Sequence, residues 1–132
     1  MSLAIEQRYR DAQRLWLSVE GQIDQYTYDM LDAELADAID QGICKIYLDL
    51  SSVSYISSAG IGVLIGTSSK LNEVALGTLE LISPTPPVMH IFDSMGFSGM
   101  FTIIQKAPED LVGQQSEKAM DAHVSALNSK CP

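Results

Sequence analysis

The chain has 132 residues, of which 46% are apolar and 19% charged, and its 8 Lys plus Arg against 17 Asp plus Glu give a formal net charge of −9. This length suits one domain with an independent core, and roughly two-thirds of the unfolded surface is buried in a chain of this size. The acidic balance argues against nucleic acid or an anionic membrane as partner, since both select basic patches, and is compatible with a basic protein.

Two cysteines, Cys44 in an apolar run and Cys131 next to the end, form no CxxC pair. Neither a disulfide framework nor a metal site is suggested, and a free buried thiol fits a reducing cytosol. The stretch Met1-Ser2-Leu3-Ala4-Ile5-Glu6 lacks a basic and then apolar leader pattern, and no run of about 18 apolar residues occurs. The expectation is a soluble cytoplasmic protein.

In chain order, Leu3-Ala4-Ile5 and Leu15-Trp16-Leu17-Ser18-Val19 have the alternation of half-buried strands, and the polar Arg10-Asp11-Ala12-Gln13 between them makes a hairpin. Tyr9 and Trp16 are expected in the core. Gly21-Gln22-Ile23-Asp24 ends the hairpin, and Asp24 caps a helix from about Gln25 to Gln41 that Gly42 stops. One face of that helix carries Tyr28, Leu31, Leu35, Ala38 and Ile39; the other carries Asp29, Asp32, Glu34, Asp37 and Asp40, a solvated face whose spacing scatters the carboxylates and implies no metal.

Ile43 to Leu50 is nearly continuous in apolar residues, as in a central parallel strand covered on both faces. Asp49 near its end invites comparison with the phosphoacceptor Asp of response-regulator receivers, but the accompanying acidic pair and late lysine are missing. A serine-rich connection follows, and then a helix with Ile61, Leu64, Ile65 and Leu71 at helical spacing. Thr78-Leu79-Glu80-Leu81-Ile82 forms the next strand. Thr85 with Pro86 starts a short helix through Met95, with Met89, Ile91, Phe92 and Met95 apolar and His90 at the surface. Met100 to Ile104 is a final strand. From Pro108 a C-terminal helix carries an imperfect stripe of Leu111, Val112, Ala119, Met120, Val124 and Leu127, a lone His123 beside it, and Gly113 as an interruption. The fold class is α/β: one domain over 1–132, with a mixed, mostly parallel central sheet, an N-terminal hairpin, packed helices, and a helical extension over 106–132.

Function is expected at the strand-to-helix turn, because ligands and partners of open α/β sheets meet the carboxyl ends of the strands. Ser58 before the helix is either a plain cap or a switch, and spacing alone favours the cap. Free N–H groups and the helix dipole at that point would also stabilise a phosphate, which adds about −1.5 to −2 charges at pH 7. Ser58, Gly62 and Gly66 recur every fourth residue, so they share a face nearly bare of side chains. Such a face admits either another backbone or tight packing on the protein's own sheet.

The run Asp49-Leu50-Ser51-Ser52-Val53-Ser54-Tyr55-Ile56-Ser57-Ser58-Ala59-Gly60-Ile61-Gly62-Val63-Leu64 resembles the signature of the STAS domain, the family of bacterial anti-sigma factor antagonists and of cytosolic domains attached to sulphate transporters. Flanking features from Gly21-Gln22-Ile23-Asp24 to Met95-Gly96-Phe97 extend the resemblance over roughly residues 3 to 105. It implies a phosphoacceptor at Ser58, modified by a partner anti-sigma serine/threonine kinase and reset by a serine phosphatase. Unphosphorylated protein would bind the kinase and so release a sigma factor.

Ser57 stands where the antagonist pattern has Asp, which makes Ser57 an alternative acceptor, and Ala59 stands where that pattern often has Ser or Thr. The expected partner-binding set is Asp24, Ser57, Ser58, Ala59, Gly60, Gly62 and Gly66, with Pro84 to Phe97 as a secondary contact. No cofactor is expected. Catalysis is not expected either, since GxGxxG, GxxxxGK[ST], HExxH and GxSxG are all missing. The alternative is a constitutive adaptor of a transport or signalling complex, which requires Ser58 to be an inert helix cap.

Overall fold

Alternating apolar residues build the sheet from the N-terminus. The computed structural model describes residues 2–97 and 99–113. Strands β1 (Leu3–Arg10) and β2 (Arg14–Ile23) form the expected antiparallel hairpin, and β3 (Lys45–Ile56), β4 (Thr78–Ile82) and β5 (Thr102–Ile104) continue it in parallel, in the order β1-β2-β3-β4-β5. Helices α1 (Tyr28–Asp40), α2 (Ser58–Asn72) and α3 (Pro86–Ser94) connect the parallel strands, and a short α4 (Glu109–Gly113) follows β5.

The tight turn between β1 and β2 is made by Asp11. Its carboxylate accepts from the backbone N–H groups of Gln13 (2.9 Å) and Arg14 (2.8 Å), from Arg14 Nε (3.0 Å) and from the Tyr9 hydroxyl (2.9 Å). Burial pushes the Asp11 carboxyl up, but these hydrogen bonds and the Arg14 charge outweigh it and hold the group below its ordinary value. Burial, reinforced by the bond to Asp11, pushes the Tyr9 phenol up to about 12.

Successive strand residues point to opposite faces, so each strand feeds two cores. Leu15, Leu17, Ile46, Leu48 and Leu81 pack with Leu31 and Leu35 of α1, Ile61 and Leu64 of α2, and Val88 and Phe92 of α3. On the other face Tyr9, Trp16, Tyr47 and Ile82 meet Ala107 and Leu111. Tyr9 and Trp16 are therefore core residues, as their sequence context suggests.

Several boundaries differ from the sequence reading. β3 does not stop at Leu50 but runs to Ile56, because the far end of β2 offers it a partner: Glu20 pairs with Ser52, Gly21 with Val53, Gln22 with Tyr55 and Ile23 with Ile56, with two register irregularities. Backbone pairing and the burial of Val53 and Ile56 override a serine-rich composition that has low strand propensity.

α1 begins at Tyr28 rather than near Gln25, and Asp24 is not its cap. The Asp24 carboxylate instead accepts from the N–H of Tyr26 (2.9 Å), while the Thr27 hydroxyl donates to the Gln22 carbonyl (2.7 Å) and accepts from the Asp24 N–H (2.9 Å). An Asp that bonds its own backbone two residues on makes a turn that competes with helix. Gly42 ends α1 as expected: at φ +97° it reverses the chain, so that the N–H groups of Gly42 and Ile43 bond the carbonyls of Ile39 and Ala38.

Thr85 and Pro86 open α3, but the Thr85 hydroxyl leaves the helix and donates to the Val53 carbonyl at 2.8 Å. Met95 is 43% exposed and not part of the apolar face expected of it. β5 is shorter than the expected Met100 to Ile104. The expectation of a free buried thiol is also corrected, because Cys44 is buried but is not a free cysteine. Cys131, His123 and the stripe residues Ala119, Met120, Val124 and Leu127 lie outside the described residues. No described helix is long and apolar enough to cross a membrane.

Candidate functional site

The turn from β3 into α2 is built from three consecutive requirements. Ile56 ends the strand fully buried, and the Ser57 N–H then donates to the Ile23 carbonyl at 2.8 Å, which ties the turn to the end of β2. Ser57 itself is extended (φ −88°, ψ 173°), and its hydroxyl accepts from the Gly60 N–H at 3.2 Å. That is an N-cap, which satisfies one of the first-turn donors that lack an intrahelical partner.

The cap is therefore Ser57 and not Ser58. Ser58 is the first residue inside α2, and it is exposed. This corrects the cap assignment on which the adaptor alternative depended. Sequence spacing could not separate the two adjacent serines, since the choice turns on which of them keeps an extended backbone at the end of the β3 ladder.

The glycines divide in the same way. A Cβ built on Gly60 would lie 2.6 Å from Ile23 Cγ2, 2.7 Å from Ile56 Cγ1 and 3.2 Å from the Ile23 carbonyl oxygen, so only glycine lets α2 seat this closely on the strand ends. At Gly62 and Gly66 a Cβ would meet nothing within 4 Å. Both are exposed and continue the face that Ser58 begins. Of the residues expected to contact a partner, Ser58, Gly62 and Gly66 thus come together in solvent, Ser57 and Ala59 are half-buried at the rim, and Asp24 and Gly60 are buried supports.

Neighbouring elements frame this face. Asp24 fixes the turn before α1, and the Ser54 hydroxyl donates to the Gly21 carbonyl at 3.3 Å, which holds the last residues of β3 against β2. The Thr85 to Val53 bond ties the entry of α3 to the same strand. His90 is exposed on α3. Two large exposed side chains that the sequence did not single out, Tyr26 (70% exposed) and Tyr55 (44% exposed), stand beside the turn. The signal available for Tyr55 was an aromatic in a serine-rich stretch, which by itself does not distinguish core from surface.

Chemically the site offers one exposed hydroxyl at the positive end of a 15-residue helix with no acidic residue in its first turn. Among the described residues no group of three or more His, Cys, Asp or Glu is placed to hold a metal ion.

A family model described as the STAS domain matches residues 3–109. An anti-sigma F factor antagonist of Paenibacillus polymyxa is 30% identical over 105 residues, which are 79% of this chain and 86% of the relative. The solved anti-sigma factor antagonist SpoIIAA in its unphosphorylated form superposes with a TM-score of 0.67 at 21% identity, over 86% of this chain and 96% of that one. SpoIIAA of Bacillus in its phosphorylated form gives a TM-score of 0.65 at 20% identity, over 84% and 98%. These two likenesses establish the shared fold.

Proposed function

The chain belongs to the STAS domain family, and from that premise we propose that it is an anti-sigma factor antagonist switched by phosphorylation of Ser58. The observation that carries this reading is the division of labour between adjacent serines: Ser57 holds the helix cap and leaves the Ser58 hydroxyl exposed at the first helical position. Relatives in the same family are named for antagonism of anti-sigma factors, and a protein of this fold exists in phosphorylated and unphosphorylated forms.

Unphosphorylated, the protein binds a cytoplasmic anti-sigma serine/threonine kinase through Ser58, Gly62 and Gly66 with Ser57 and Ala59 at the rim, and the sigma factor is released. Asp24 and Gly60 act from behind, by fixing the two turns. Phosphorylation of Ser58 introduces about −1.5 to −2 charges on a face otherwise bare enough for close approach. Backbone N–H groups of the first turn accommodate that charge on this chain, so the effect falls on the partner surface and not on the fold. A serine phosphatase restores the binding form. Ser57 is the less suitable acceptor, because its hydroxyl is occupied by the Gly60 N–H and its modification would cost the cap.

On this reading the protein is a single non-catalytic domain that needs no cofactor. The test is affinity capture from the host lysate with wild type and Ser58→Asp side by side, the retained proteins being identified by mass spectrometry. Wild type is expected to retain a small serine kinase that the Asp variant loses. Retention of the same components by both proteins would overturn the switch.

A further inference from the structure

A small cavity opens on the sheet face opposite α2, beside the carboxyl end of β4. Tyr47, Asp49 and Ser51 alternate along β3 with Leu48 and Leu50, which belong to the core shared with α1, α2 and α3, so the period of two turns Asp49 and Ser51 to the other face. Ile82 is the partner of Asp49 across the β3–β4 ladder. The cavity measures about 340 Å³, and its floor is apolar, made by the buried Trp16, Ile82 and Ala107. Its rim is polar and holds one charge of each sign, Asp49 and Lys106, with Ser51 and Ser83 beside them and Val112 of α4 at the edge.

The rim charges are placed but not paired. The Asp49 carboxylate accepts from the Ser51 N–H at 2.8 Å, which fixes it on the strand, and neither Asp49 nor Lys106 is in an ion pair among the described residues. Two opposite charges that line one cavity without meeting stand apart across it, and each is open to a counter-charge. Ser83 leaves β4 at φ +47°, with its N–H donating to the Ile104 carbonyl at 2.7 Å. A residue with a Cβ adopts that conformation at a cost, and strain of this kind clusters at ligand sites. The buried Trp16 Nε1–H has no hydrogen-bond partner among the described residues, so no hydrogen bond fixes the indole ring in the cavity floor.

We infer that this cavity binds a small zwitterion of amino-acid size, with its ammonium on Asp49, its carboxylate on Lys106 and its apolar body against Trp16 and Ile82. Size and charge select this guest. The volume lies at the lower end of small-molecule sites, which span about 300–1,000 Å³, and leaves no room for a protein segment. A simple anion would meet Asp49 on a chain of net charge −9, and a simple cation would meet Lys106. A wholly apolar guest would take both charges out of water and pair neither. Only a guest that carries both signs answers both residues. The inference does not rest on the reading of Ser58, because the cavity lies across the sheet from α2.

Trp16 is the one tryptophan of the chain and stands in the cavity floor, so its fluorescence reports occupancy. The full-length protein is titrated with L-phenylalanine and L-leucine, and with phenylpropanoate and phenethylamine as counterparts that each keep one charge; calorimetry gives a second reading. A zwitterion is expected to saturate the signal with a dissociation constant of about 1 mM or tighter, and the singly charged counterparts should bind about tenfold more weakly or less. Asp49→Asn keeps an acceptor for the Ser51 N–H while it removes the charge, and Lys106→Gln removes the other; each should weaken binding about tenfold. Val112→Phe, at a residue 50% exposed on the edge, should narrow the cavity and lower affinity for phenylalanine more than for leucine. Unchanged melting temperatures verify that folding is not what moves.

If neither amino acid saturates the signal up to about 10 mM, the site falls. Equal binding of phenylalanine and either counterpart, or wild-type affinity in both charge variants, would overturn the zwitterion assignment. Neither result would touch the switch at Ser58, which the capture experiment tests separately.

Discussion

The entries to α1 and α2 lie side by side at the carboxyl ends of β2 and β3, yet they spend their polar side chains in opposite ways. Before α1, Asp24 and Thr27 are both buried and both turned inward, bonding Tyr26 N–H and the Gln22 carbonyl, so the turn is fully committed to its own structure. Before α2 only Ser57 is so committed, and Ser58 is left with an exposed hydroxyl. A turn that satisfies its backbone with one side chain can present the next one to a partner; a turn that needs all of them cannot.

Substitutions at these two entries should separate support from display. The largest effect is expected for Gly60→Val, whose added carbons collide with Ile23 and Ile56, an overpacking that costs about 1–3 kcal/mol and is read as a fall in melting temperature. Asp24→Ala comes close behind: it leaves the Tyr26 N–H without its carboxylate in a buried turn, for about 1–3 kcal/mol by denaturant titration. Ser57→Ala removes the cap and should cost about 0.5–2 kcal/mol, whereas Ser58→Ala should change stability by less than about 0.5 kcal/mol. If Ser58→Ala proved the more destabilising of the two, the assignment of cap and display would be reversed.

The smallest effect carries the opposite sign. Gly62→Ala, with open space around the new Cβ, should raise helix stability by up to about 1 kcal/mol. Paired with weaker kinase binding, that gain would mean glycine is kept there for close approach and not for folding. A stabilised variant with unimpaired binding would remove Gly62 from the contact surface.

Much of this architecture was legible in the residues. The hairpin alternation, the apolar run of β3, the limits of β4 at Thr78 and Ile82, the Thr85-Pro86 opening of α3 and the glycine stop of α1 are local signals, and each acts through backbone geometry that a few neighbouring residues determine. The family signature and the common face of Ser58, Gly62 and Gly66 are likewise properties of spacing.

What the sequence by itself determined was the set of elements and the relative phase of residues along each. The tertiary structure decided where those elements end and which way each face turns. β3 continues through Ser51 to Ile56 because β2 lies alongside it, and Thr85 gives its hydroxyl to Val53 because folding brings that carbonyl close. Ser57 became the cap because Ile23 holds it extended at the end of the strand, and Gly60 was separated from Gly62 and Gly66 because α2 seats on Ile23 and Ile56. Helical periodicity fixes the angles between residues on one helix; only contact with the sheet fixes which of those angles faces water.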